Sequence, residues 1–138
     1  KKIKNKIYID RGEATSGHTR QRLISNENEI KKYLLENDFT SVKLGDINFV
    51  DQVDLFHNAD CIVGLHGAGF ANLAFCKPGT KVVEFKSIGA GFSIDNVAKK
   101  NDLNYHSIFV KAKHEYNFPN SQGVIKVPID KLIRILEN

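Results

Sequence analysis

The chain of 138 residues contains no methionine or tryptophan, only two cysteines, and no long apolar run. Because such a run is absent, we expect neither a transmembrane helix nor a signal peptide in these residues. Cys61 and Cys76 lie in apolar segments and lack the spacing of a disulfide framework, so we expect two buried thiols and a cytoplasmic protein. Because methionine is absent and Lys1 directly precedes a strand-like segment, we expect residues 1–138 to be one domain of a longer protein.

The charge of the chain favours an acidic partner. Its formal net charge is +4 and its pI is about 9.0. Four of the first six residues are lysine, but no aromatic interleaving or amphipathic helix accompanies them. We therefore interpret KKIKNK as a solvated lead-in to a strand and predict no nucleic-acid partner, while peripheral association with a membrane stays open.

Strand-like and helix-like segments alternate along the whole chain. Near-continuous apolar strands in such an alternation favour a mainly parallel sheet covered on both faces. The fold class predicted is therefore α/β, a Rossmann-like three-layer domain with about five strands. Its core should contain Val63, Leu65, Val82, Val83 and Phe85. The predicted strands are 6–10, 41–44, 61–65, 81–85 and 106–110, and the predicted helices are 26–37, 49–59, 69–76, 94–101 and one that begins near Pro128.

Two local features refine this prediction. Asn26 followed by Glu29 is typical of a capping box at the start of the first helix, and Asn48 can cap the second helix. Residues 111–126 contain no clear pattern and are predicted to form a long loop.

The most distinctive segment is IVGLHGAGFANLAFCKPGTKVVEF, residues 62–85, where a loop with glycines follows the third strand and precedes a helix. Ligands of open parallel sheets bind beyond the carboxyl ends of the strands, so this loop is a candidate site. Gly67 and Gly69 can adopt positive φ and let the backbone approach a ligand, and the next helix start offers N–H groups to an anion. Alternatively, both glycines only permit close packing and His66 is a hydrogen-bonded structural histidine.

This longer string resembles the signature of the family 61 glycosyltransferases, once described as a domain of unknown function of capsular polysaccharide biosynthesis type. Upstream, Arg11 and the segment Arg22-x-Ile24-x-Asn26-Glu27 are similar to the family's paired-arginine segment. The similarity extends from about residue 7 to residue 86. It implies that the chain is the carboxyl-terminal, donor-binding half of a two-domain GT-B type enzyme, whose acceptor-binding amino-terminal domain is missing.

The resemblance also implies roles for individual residues. Arg11 and Arg22 would neutralise the diphosphate of a nucleotide sugar, because a guanidinium binds phosphate oxygens in pairs. Glu84, at the end of the fourth strand, would accept hydrogen bonds from ribose hydroxyls. A solvated surface position is the alternative for Glu84 and also for the two arginines. The backbone expected to surround the diphosphate is that of His66, Gly67, Ala68 and Gly69.

The reaction implied is an inverting displacement in which an acceptor hydroxyl attacks the anomeric carbon and a nucleoside diphosphate leaves. We expect a UDP-linked sugar as substrate, a glycan acceptor in surface or capsular polysaccharide synthesis, no cofactor, and no metal, since no Asp-x-Asp occurs. Backbone N–H groups and arginines would stabilise the leaving group. No general base can be placed in this chain.

Two other function classes are compatible with the loop. The first is a non-catalytic module that binds a nucleotide or another anion on the same fold. The second is a hydrolase that uses HGAG as an oxyanion loop, but that class requires Gly-x-Ser-x-Gly, and Ser93 in GAGFSID lacks the second glycine.

Overall fold

The structure, a computed structural model, describes residues 5–10, 22–87, 93–111 and 123–138, with the backbone alone at 22, 23, 68, 93 and 123. The strands are β1 Lys6–Ile9, β2 Arg22–Ile24, β3 Phe39–Val42, β4 Cys61–Leu65, β5 Lys81–Ser87, β6 Asn104–Val110 and β7 Gly123–Ile125. The helices are α1 Glu27–Glu36, α2 Phe49–Asn58, α3 Ser93–Lys100 and α4 Ile129–Glu137, with 3₁₀ helices at Leu44–Asp46 and Ala68–Phe75. None of the helices in these described ranges is long and apolar enough to cross a membrane.

Five strands form one parallel sheet in the order β3-β1-β4-β5-β6. This confirms the predicted α/β, Rossmann-like class. After β1 the chain passes through α1 to β3 on one side, whereas after β4 it passes through the 3₁₀ helix Ala68–Phe75 to β5 on the other side. The strand order therefore reverses between β1 and β4, and a crevice is expected beyond their carboxyl ends.

Two apolar layers enclose the sheet. One layer packs Ile30 and Leu34 of α1 and Leu132 of α4 against one face. The other packs Phe56 of α2 and Phe70 of the 3₁₀ helix against the opposite face. All five residues of β4 are buried, as expected for a strand covered on both sides. The predicted core residues are confirmed as buried: Val63, Leu65, Val82, Val83 and Phe85.

The start of α1 differs from the predicted capping box. Asn26 is the N-cap residue, but its side chain caps no N–H of the helix. Its amide instead donates to the carbonyl of Val127 at 2.8 Å and accepts from the Val127 N–H at 2.9 Å. The predicted cap of α2 is confirmed, because the Asn48 side chain accepts from the N–H of Asp51 at 2.9 Å.

A second, two-stranded parallel sheet pairs β2 with β7. The sequence prediction contained neither strand, and β7 lies in the segment predicted to be a loop. Ile24 and Ile125 of this small sheet, with Val127, pack against the same apolar layer as α1 and α4.

Candidate functional site

The HGAGF loop lies at the carboxyl edge of the main sheet, directly after β4. The N–H of His66 donates to the carbonyl of Phe85 at 2.8 Å, which ties the loop to the neighbouring strand β5. The N–H of Phe70 donates to the carbonyl of Gly67 at 3.1 Å and begins the 3₁₀ helix. The loop therefore borders the crevice where the strand order reverses.

Neither glycine of the loop has the left-handed backbone conformation that the sequence predicted. Gly67 has φ 166° and ψ −178°, an extended backbone that any residue can adopt. At Gly69 an added Cβ would lie 2.9 Å from Cδ1 of Leu44 and 3.6 Å from Cγ2 of Ile9. Gly69 therefore permits close packing of the loop, as the alternative interpretation proposed.

Glu84 stands beside the loop on the neighbouring strand, where β5 pairs with β4 and Glu84 lies opposite Gly64. Its side chain is fully buried. One carboxylate oxygen, Oε2, contacts Nδ1 of His66, and the other, Oε1, accepts from the hydroxyl of Tyr105 on β6. Both oxygens of this buried carboxylate are thus engaged by side chains from separate segments.

Lys86 occupies the same face of β5 two residues further on and is also fully buried. Its Nζ lies 3.7 Å from Oε1 of Glu84 and 3.0 Å from Oδ1 of Asp95 on α3, and 4.7 Å from the ring centroid of Phe109. Buried charges are retained where they are paired and hydrogen-bonded. We call the resulting group the buried ionic cluster: His66, Glu84, Lys86, Asp95 and Tyr105.

The cluster changes the ionisation of two of its members. Burial, with hydrogen bonds to Glu84 and Asp95, raises the pKa of Tyr105 far above its ordinary value, so its hydroxyl remains a donor. At Asp95, burial favours the protonated form, but the hydrogen bonds from Tyr105 and Lys86 outweigh it and lower the pKa of this carboxyl. A neutral phenol and a paired Lys–Asp bridge therefore surround Glu84.

The structure describes only some of the predicted site residues. Arg11 lies outside the described residues. Arg22 belongs to β2, where it pairs with Gly123, and its side chain is not described. Ala68 is the first residue of the 3₁₀ helix, with the backbone alone described. The predicted contact of Glu84 with a ribose stays a prediction, and the structure places that carboxylate against His66.

Sequence reasoning missed Lys86, Asp95 and Tyr105. One signal was available: in KVVEFKS, Glu84 and Lys86 alternate with apolar residues and so share a face of a strand predicted to be buried on both sides. Two opposite charges at such positions indicate a buried pair. Their connection to His66 depends on which strands are neighbours, and the spacing of residues along one strand does not define that.

The two cysteines are free and buried, as predicted. Burial raises the pKa of Cys61 to about 11 and that of Cys76 to about 12, so both thiols are protonated near neutral pH. Within the described ranges, no three His, Cys, Asp or Glu side chains are grouped in a way that could hold a metal ion.

Comparison with known proteins agrees with the resemblance seen in the sequence. The family model described as Glycosyltransferase 61 matches residues 1–83, more than half of the chain. The chain belongs to the glycosyltransferase 61 family. The matched region ends one residue before Glu84, so of the buried ionic cluster it includes His66 alone.

Several relatives of this family member are proteins named EGF domain-specific O-linked N-acetylglucosamine transferase. The one from Bos taurus is 33% identical over 76 residues, which are 51% of this chain and 14% of the relative. The one from Canis lupus familiaris is 35% identical over 71 residues, 48% of this chain and 14% of the relative. The one from Gallus gallus is 28% identical over 110 residues, 76% of this chain and 20% of the relative. The chain thus spans a fifth or less of the length of these relatives.

Proposed function

We propose that this chain is the donor-binding part of an inverting, metal-independent glycosyltransferase that transfers a sugar from a nucleotide sugar to an acceptor hydroxyl. The observation that carries the proposal is the position of the HGAGF loop, with His66 held by a buried carboxylate, at the edge of the sheet where the strand order reverses. Membership of the glycosyltransferase 61 family supports the reaction class.

The loop suits the diphosphate of the donor for three physical reasons. The first N–H groups of the 3₁₀ helix that begins at Ala68 have no partner inside that helix. The side chain of His66 is partly exposed, so it can contact an anion while Glu84 contacts the other side of the ring at Nδ1. The chain carries a net charge of +4, which favours a negatively charged ligand.

In this proposal the chain stabilises the leaving group. The acceptor oxygen forms a bond to the anomeric carbon as the bond to the diphosphate oxygen breaks, and negative charge grows on the departing nucleoside diphosphate. Preorganised hydrogen-bond donors at that position lower the barrier without any nucleophile on the protein. Arg11 and Arg22 are proposed to neutralise the same charge, and the general base is proposed to come from an acceptor-binding domain of a GT-B type parent.

For the donor and the acceptor we propose classes of molecule to test. A UDP-linked sugar is the donor we propose to test first, and a glycan of surface or capsular polysaccharide is the acceptor expected from the sequence. The vertebrate relatives are named for transfer of N-acetylglucosamine to EGF domains, so a protein hydroxyl belongs in the same acceptor panel. The cytoplasmic location stays a prediction.

Titration of the 138-residue chain with UDP, UDP-sugars and other nucleotides tests the proposal, by calorimetry or ligand-observed NMR with and without EDTA. We expect binding without divalent metal at an affinity on the order of millimolar, because a donor held between two domains loses contacts when one is absent. We expect no sugar transfer by the chain alone. Strict metal dependence would overturn the proposed mechanism, and rapid transfer by this chain would show that it contains the base.

Replacement of Gly67 by valine tests the loop itself. Because Gly67 already has an extended backbone, valine fits its conformation and the change acts by placing a side chain where the diphosphate is proposed to lie. We expect nucleotide affinity to fall by about tenfold or more. Lys100→Ala on the exposed face of α3 is the control and should bind nucleotide as the unsubstituted chain does. Equal titration curves for Gly67→Val and the unsubstituted chain would contradict a phosphate loop.

A non-catalytic nucleotide-binding module is the second candidate, favoured because no residue in the described part of the chain is assigned as the general base. It predicts the same binding results. A transfer assay on the longer parent protein distinguishes the two candidates, because only the enzyme releases nucleoside diphosphate in the presence of acceptor.

A further inference from the structure

We propose that Glu84 is a positioning residue for His66, and that Tyr105 fixes Glu84 in turn. In this arrangement the carboxylate holds the Nδ1 proton of the imidazole, and Nε2 is the ring nitrogen left to contact a ligand. The identity of that ligand, the diphosphate of a nucleotide donor, rests on the function proposed above. The positioning itself rests on the contacts within the buried ionic cluster.

The geometry of the carboxylate carries the first step. Oε2 of Glu84 contacts His66 and Oε1 accepts from Tyr105, so donors on two different segments hold the group from opposite sides. Lys86 adds a positive charge 3.7 Å from Oε1. A carboxylate held in this way has little rotational freedom, and it transmits that constraint to the imidazole ring.

The chemistry of imidazole carries the second step. A neutral histidine carries a proton on only one of its two ring nitrogens. A carboxylate that contacts Nδ1 accepts a hydrogen bond from it, so the proton lies on Nδ1. Nε2 then accepts a hydrogen bond in the neutral ring and donates one to a phosphate oxygen when the ring is charged. Acidic side chains orient catalytic and metal-binding histidines by the same contact.

The gradient of exposure carries the third step. Glu84 and Lys86 are fully buried, whereas the side chain of His66 is 13% exposed and that of Asp95 is 36% exposed. The cluster therefore extends from the interior to the surface, and His66 is where it meets the candidate loop. Lys86 lies 3.0 Å from Asp95 and 3.7 Å from Glu84, so two carboxylates share it, and the contact with Nδ1 of His66 gives Oε2 of Glu84 a hydrogen-bond partner.

Long-range ¹H–¹⁵N NMR of the chain labelled with ¹⁵N-histidine tests the positioning without any ligand. We expect the neutral His66 to carry its proton on Nδ1, and addition of UDP to shift the Nε2 resonance more than the Nδ1 resonance. Predominant protonation of Nε2 in the neutral ring would overturn the proposal.

Substitutions test the same contact by function. Glu84→Gln is nearly isosteric, but its amide can donate to Nδ1, so we expect loss of the single tautomer and a fall of about tenfold in UDP affinity. Tyr105→Phe keeps the carboxylate and its charge, and we expect a smaller fall, about threefold to fivefold, with broadened His66 resonances. If Glu84→Gln does not fold, Tyr105→Phe alone decides the proposal.

The chain offers a matched control in Tyr8, whose buried hydroxyl donates to Oε2 of Glu27 at 2.7 Å within the opposite apolar layer. Tyr8→Phe removes a comparable phenol–carboxylate bond and should leave the tautomer of His66 and the UDP affinity unchanged. An equal fall in affinity for Tyr8→Phe and Tyr105→Phe would overturn the proposal, because it would indicate a general loss of stability. If the unsubstituted 138-residue chain binds no nucleotide while His66 keeps its Nδ1 proton, the proposed function fails and the positioning of His66 by Glu84 stands. If the unsubstituted chain binds nucleotide and Glu84→Gln binds it equally well, the positioning fails and the proposed function stands.

Discussion

At the scale of single residues, Gly64 determines how closely the centre of the sheet is packed. A Cβ at this position would lie 3.2 Å from Cβ of Ile9 on the adjacent strand and 3.2 Å from Cζ of Phe70. Ile9 and Phe70 are both buried, so neither can move away without disturbing its own contacts. Gly64 thus allows the 3₁₀ helix Ala68–Phe75 to lie directly on the sheet.

Gly64→Ala should therefore destabilise the fold by about 1–3 kcal/mol, the usual cost of overpacking a well-filled core. Gly45→Ala is the matched control, because nothing lies within 4 Å of its added Cβ, and it should be neutral or stabilise by up to about 1 kcal/mol. Urea unfolding followed by circular dichroism measures both changes. Equal midpoints for Gly64→Ala and the parent would show that the sheet has room at this point.

The candidate site was only partly predictable at this scale. The apolar run before His66 and the helix start after it were enough to place the loop at the carboxyl edge of a strand. Tyr105 lies 39 residues beyond His66 in the chain, and no local pattern connects them. Their contact through Glu84 requires the neighbours β4, β5 and β6, which are fixed by packing of the whole sheet.

At the scale of elements, the small sheet of β2 and β7 joins the start of α1 to the segment before α4. The Ser25 N–H donates to the carbonyl of Ile125 at 2.8 Å, and the Asn26 side chain then bonds both backbone groups of Val127. The Asn26 side chain thus extends the hydrogen-bond ladder between β2 and β7 by one residue, at a point where the main chain has already entered α1. Strands of three residues are too short for a period of two to be recognised, which is why the sequence did not predict this sheet.

Asn26→Ala should destabilise the fold by about 1–3 kcal/mol, because it leaves the N–H and carbonyl of Val127 without these partners. Val127 is fully buried, so water cannot readily replace the amide. Asn37→Ala, which removes a bond of 2.8 Å to the Tyr33 carbonyl at an exposed position, should change stability by less than about 0.5 kcal/mol. Chemical unfolding compares the two variants, and similar losses would contradict a special role for Asn26.

At the scale of the whole molecule, stability should depend on pH through His106. Burial, and next the positive charge of Lys81, lower the pKa of this side chain below 6.5. The folded state then binds fewer protons than the unfolded state, so the contribution of His106 is complete above about pH 6.5 and is lost as the pH falls through the lower, folded-state value. His106→Gln should reduce the loss of unfolding free energy between about pH 7 and pH 5.

Urea unfolding at several pH values across that interval measures the slope for each variant. A slope unchanged in His106→Gln would assign the dependence on pH to other groups.

The position of β6 at one end of the described sheet has a consequence for local opening of the fold. Strands at a sheet edge exchange their amide hydrogens through local openings of low free energy. Since β6 carries Tyr105, each opening of this strand also releases Glu84 and, through it, His66. A nucleotide that requires the ordered His66 would therefore slow hydrogen exchange along β6 without contacting that strand.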